Sequence, residues 1–132
     1  MKNTKIEALI KKARDMEKEF GRDSKEMKEF NKANQLAWRW THAYLQSQNK
    51  GFDEIVITDC VFEEEVEKFF ELGRKLGVSW FVFATGFSNA FETMDCFVQH
   101  GARIGKFVVK EYTTTKFGEE ETFRLPGMRI NL

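Results

Sequence analysis

The sequence predicts an α/β fold that turns α+β at its C-terminal end: two N-terminal helices, then a βαβαββ order with a parallel strand pair and a C-terminal antiparallel hairpin. Three observations carry this. Glu54 to Asp59 and Ser79 to Thr85 are apolar runs without alternation, as expected of strands covered on both faces. Between them, Val61 to Gly77 has helical periodicity, so the three read as a βαβ unit whose strands pair in parallel through a right-handed crossover. Near the end, β-prone stretches at Phe107 to Thr115 and Thr122 to Leu125 flank a turn at Phe117-Gly118 and read as a hairpin.

In chain order, Ile6, Leu9, Ile10, Ala13, Met16 and Phe20 recur at three- and four-residue steps, predicting a first helix over Asn3 to Phe20 that Gly21 stops. Asp23 and Ser24 are N-cap types and restart a helix that is expected to run unbroken to about Gln48. Its face carries Met27, Phe30, Ala33, Ala37, Trp40, Thr41 and Tyr44. Trp38 points nearly the opposite way from Trp40, because two residues turn a helix by about 200°, and with Leu45 it opens a second apolar flank. Either the first helix or another subunit must cover that flank.

Asn49-Lys50-Gly51 supplies turn chemistry before the β-branched run Ile55-Val56-Ile57. The crossover helix is expected to turn Phe62, Val66, Phe69, Phe70, Gly73 and Leu76 to one side, with Glu63 to Glu65 at its positive N-terminal end and Gly77 as its C-cap. After the second strand, Asn89 and Glu92 resemble a capping box for a helix ending near Gly101, with Phe91, Met94, Phe97 and Val98 expected inward. His100 falls at its C-terminus. Pro126-Gly127 is expected to close the hairpin, leaving Met128 to Leu132 as a short tail; Glu119 to Glu121 read as an exposed turn guarding an edge.

A chain of 132 residues with 42% hydrophobic content closes one core, so residues 1–132 are read as a single domain, a helical 1–50 segment packing on a 51–132 α/β core. Fourteen Phe predict an aromatic-rich interior. Net charge is zero overall but uneven: twelve basic against seven acidic residues in 1–50 (+5), three against ten in 51–100 (−7), six against four beyond (+2). The balance gives no global attraction to nucleic acid or to an anionic membrane, and such a dipolar layout suits docking within the chain or onto a second copy. Two cysteines, Cys60 and Cys96, form neither a CxxC pair nor a zinc spacing, which fits a reducing cytoplasm. Met1 to Ile6 leads into charged helix, and no apolar run approaches the length of a membrane span, so a cytoplasmic protein is expected.

In open α/β sheets ligands settle beyond the carboxyl ends of parallel strands. The candidate ligand-binding residues are therefore Asp59 and Cys60 after the first strand, and Thr85, Gly86, Phe87, Ser88 and Asn89 after the second. Asp59 suits a general base or metal ligand, but an Asp at this place more commonly serves as a helix N-cap. Cys60 opens a helix, a nucleophile's placement, but Asp59 and three glutamates disfavour a thiolate. The 85–89 loop has the glycine and hydroxyls of an anion cradle without a cation, and no GxGxxG or GxxxxGK[ST] is present. No metal site and no cofactor is read. Trp38, Arg39, Trp40, His42 and Leu45 are the candidate interaction residues; the first four could also stack on bases while Lys25, Lys28 and Lys32 contact phosphates, but Glu26 and Glu29 break the basic stripe.

These residues determine no specific function. They favour a small accessory or protein–protein interaction module, binding a partner protein or a second copy, without catalytic activity. The alternatives are small-molecule or metal binding at the strand rim, and nucleic-acid binding through the first two helices.

Overall fold

The computed structural model describes residues 1–132. Helix α1 spans Thr4–Phe20. Asn3 starts it by accepting the Ile6 N–H at 2.9 Å, and its side-chain amide donates across the molecule to the Leu76 carbonyl at 2.8 Å. Ser24 caps α2, Lys25–Ala33, by accepting the Met27 N–H. The expected single long helix then breaks at Asn34, and α3 runs Gln35–Asn49. Asn34 leaves helical geometry (φ −116°, ψ 21°) while its amide donates to the Phe30 carbonyl at 2.7 Å, so the side chain replaces the lost backbone bond. The break folds Phe30 edge-on against Trp38, with ring centroids 5.7 Å apart, so the second apolar flank is covered from within the chain.

The βαβ unit is present, with shorter strands than expected. β1 is Val56–Ile57, followed by a 3₁₀ turn at Glu63–Glu65, helix α4 over Val66–Lys75, and β2 over Trp80–Phe83. Val56 lies opposite Val82 and Ile57 opposite Phe83, in parallel. The outward N–H of Val56 donates to the Ser47 hydroxyl at 2.9 Å, so α3 closes this edge of the sheet. Helix α5 is Ala90–Gln99, and the hairpin is β3, Arg103–Lys116, with β4, Glu119–Asn131.

Strand order is β1-β2-β4-β3, a mixed sheet with one parallel pair. β4 does not end at Pro126. It continues to Asn131 and enters the sheet between β2 and β3, pairing Met128 with both Phe83 and Phe107. Pro126 is tolerated because β2 has already ended there, leaving one flank of β4 without a neighbour. Gly127 is needed at the crossing: a Cβ would lie 2.5 Å from the Phe83 carbonyl oxygen and 2.8 Å from Ala84 Cβ. Glu119 to Glu121 are therefore the first residues of β4, and Phe117-Gly118 alone make the turn.

The main core lies between the helices and one sheet face. Trp40 is fully buried, stacked on Phe69 at 4.2 Å, and donates its indole N–H to the Phe69 carbonyl at 2.8 Å. Phe70, Phe81, Phe83 and Phe97 continue the aromatic cluster. On the opposite face the β3–β4 ribbon coils back, and Val108, Tyr112 and Leu125 pack with Phe52, Val56, Val82 and Ala84 as a second, smaller core. Cover on both faces is why strands β1 and β2 read as unbroken apolar runs.

Candidate functional site

The loops after β1 and β2 meet at the rim, where the Asn89 amide donates to Cys60 Sγ at 3.8 Å. Asp59 is exposed, and the helix it was expected to cap begins only at Glu63. Cys60 is half-buried, and its carbonyl accepts from Arg39 Nη2. Thr85 accepts the Phe87 N–H at 3.2 Å in a tight turn, and Gly86, Phe87, Ser88 and Asn89 are exposed. Asn89 makes no side-chain cap bond to α5. No group of three His, Cys, Asp or Glu side chains gathers where a metal ion could be held. The seven residues form a shelf with little convergent polar chemistry.

What the shelf presents is aromatic. Phe62 is 59% exposed, Phe87 55% and Phe91 83%. Phe62 and Phe91 do not turn inward as expected. The crossover helix starts after Phe62, which leaves that ring on the approach loop. On α5, Thr93, Cys96 and Phe97 are the buried residues, and at about 100° per residue Phe91 and Val98 lie about 100–120° round from Phe97. A fourth ring joins them. Phe83 ends β2, and Phe83, Met128 and Phe107 lie in one row across the sheet, so Phe107, 62% exposed, stands level with the rim on its helix-covered side.

The strongest electrostatic centre is one that the sequence reading passed over. The buried Glu54 carboxylate accepts from Trp80 Nε1 at 2.8 Å, Arg129 Nη2 at 2.7 Å and Lys110 Nζ at 2.8 Å. Burial alone would raise its pKa, but the bonds from Lys110, Arg129 and Trp80 outweigh it and hold the carboxyl below the usual range. Burial likewise works against the Lys110 ammonium, but Asp53 and Glu54 outweigh it and raise its pKa. The signal was a charge inside each apolar segment: Lys110 after Phe107-Val108-Val109, Arg129 between Met128 and Ile130, and Glu54 at the head of β1. The network ties β1, β2, β3 and β4 together and is structural.

Of the helix residues singled out for interaction, Trp40 is sealed in the core and Trp38 rests on Phe30, while Leu45 is half-buried against the main core. Arg39 is held by Glu65 at 3.0 Å and lies over the Phe69 ring. Together with the exposed His42 it lines a cleft of about 140 Å³ between α3 and the end of β1, which takes in Asp59. Lysines of the first two helices sit among acids, with Lys11 paired to Asp15 and Lys25 to Glu29. Cys96 is buried, which pushes its thiol pKa up, and His100 Nδ1 lies 3.0 Å from the Cys96 carbonyl. No helix is long and apolar enough to cross a membrane.

Fold and rim together define a mixed α/β protein with a phenylalanine shelf at the carboxyl end of its parallel strands. Residues 39–132 match the model of a family described as a domain of unknown function (DUF7698), and the chain belongs to that family. The matched span contains the whole sheet and all four rim phenylalanines. No curated protein matches the chain, and no solved structure matches it.

Proposed function

We propose that this chain is a protein-interaction module whose rim shelf docks on the same shelf of a second copy. One observation carries the reading: Phe62, Phe87 and Phe91, which follow the parallel strands, and Phe107, in register with the last residue of β2, are all exposed. Taking about 200 Å² per residue, they leave about 500 Å² of phenylalanine surface in water. That is the apolar share of a standard interface, which covers about 800 Å² on each partner and is about 60% apolar. Contiguous apolar surface of a few hundred Å² on a soluble protein often marks an interaction site.

A second copy is favoured by charge. The loop half of the shelf, with Phe62, Phe87 and Phe91, is flanked by Glu63, Glu64 and Glu92, whereas Phe107 on β3 follows Lys106. A two-fold axis sets each half against the other half of its mate, so acids meet bases and rings meet rings. Light scattering on eluted protein tests this directly. A dimer is expected, with Phe91→Asp converting it to a folded monomer. Lys106→Glu weakens association, and adding Glu92→Lys restores it. A wild-type chain that stays monomeric up to about 1 mM, where even association of about −4 kcal/mol registers, refutes the reading.

A further inference from the structure

We infer that the cleft between α3 and the end of β1 is a binding site for a small amphiphilic carboxylate. This inference is independent of the shelf and its partner. One stripe of α3 and its C-cap residue form the wall: Arg39, His42, Gln46 and Lys50 recur at three- and four-residue steps. Thr58 and Asp59 face them, and Ala43, Phe52, Val56, Ile57, Phe69 and Leu125 form an apolar floor. Convergent polar groups over an apolar floor are the general form of a small-ligand site.

Charge selects an anion. Of the three basic side chains only Arg39 has a carboxylate partner, Glu65 at 3.0 Å. That bond, the Cys60 carbonyl and the Phe69 ring at 5.5 Å fix its guanidinium in place before any ligand arrives. Lys50 has no acidic partner; its ammonium lies over the Tyr112 ring at 4.7 Å and makes no salt bridge that a ligand would have to displace. Asp59 is the single acid of the lining and also lacks a cation. Size selects a small body. The cleft's volume is about 140 Å³, room for several waters. A carboxylate with a short alkyl tail, about six or seven non-hydrogen atoms, is of a size to occupy it. Inorganic phosphate fits by volume but would leave the apolar floor against a fully hydrated ion.

The test titrates the full chain with pentanoate, 1-pentanol and inorganic phosphate, followed by amide chemical shifts. Pentanoate is expected to shift residues 42–50 and 56–59 saturably, and to bind at least about tenfold more tightly than either other probe. Lys50→Met is expected to weaken pentanoate by about fivefold or more and to leave 1-pentanol within about twofold. Asp59→Asn removes a like charge and is expected to tighten pentanoate by about two- to threefold. Equal affinity for pentanoate and 1-pentanol overturns the charge argument, and equal affinity for phosphate overturns the apolar one. Saturable shifts confined to other residues, or none at all, overturn the site.

Discussion

Replacing Glu54 by Gln isolates the charge of the buried network while keeping the side chain's shape. The amide retains one oxygen to accept from Trp80 or Arg129, but presents an N–H₂ where a cation was bound. Bonds to charged groups contribute about 1.5–3 kcal/mol each, and Glu54 makes them with two cations. Lys110 keeps Asp53 at 2.8 Å, and Arg129 is 28% exposed, so water replaces part of what it loses. The expected loss is therefore about 2–3 kcal/mol at pH 7, short of the ~3–5 for orphaning a fully buried charge. The folded-state pKa of Glu54 lies below its unfolded value of about 4.3, so its contribution is fully present above about pH 5 and is lost as pH falls through the folded value. Lys110 has the opposite sign: its raised pKa contributes fully below about pH 10.4 and is lost as pH rises through the folded value. Urea unfolding followed by circular dichroism, at pH 7 and again at pH 3, measures the Glu54 contribution. A difference below about 0.5 kcal/mol at pH 7, or one that does not shrink on acidification, would show that the carboxylate is not the hub of the sheet.

Two further substitutions probe the packing. At Gly73 a Cβ would lie 2.6 Å from Trp40 Cζ2, and the indole cannot retreat because it is stacked and hydrogen-bonded to Phe69; Gly73→Ala is expected to cost about 1–3 kcal/mol, read as a lowered Tm, and an unchanged Tm would mean that the α3–α4 contact yields. Phe117 holds φ +54° at the hairpin tip with its ring 94% exposed, so Phe117→Asn is expected to raise stability by about 0.5–1 kcal/mol by removing left-handed strain without losing burial. A lowered Tm would show that the ring has a packing role.

The parallel pair and its crossover were legible because both strands are covered on both faces, and that burial writes itself into Ile55-Val56-Ile57 and Phe81-Val82-Phe83 as unbroken apolar runs. The rim was legible in position, since Cys60 and Asn89 do meet, but not in character. Counting helical steps places Phe62 and Phe91 inward, but the crossover helix starts past Phe62, and Phe91 lies about 120° round α5 from the buried Phe97. The break at Asn34 was hidden because the apolar spacing from Phe30 to Ala37 runs straight across it. Pro126-Gly127 imitated a strand end; only the register against Phe83 reveals that a residue without an N–H and one without a side chain suit that crossing. The Glu54–Lys110 bond joins residues 56 positions apart, and no local pattern encodes such a distance.

The strand that completes the centre of the sheet is also the last of the four to be made. While a ribosome is still producing β4, the parallel pair and β3 have no common neighbour, and the inner edges of β2 and β3 are bare. Helices α1 to α5 can gather over a half-built floor, but the floor closes only when Met128 to Asn131 slide in between. Newly made chains therefore pass through a stage of unsatisfied edges and long-range search, in which crowding by other nascent copies competes with correct insertion.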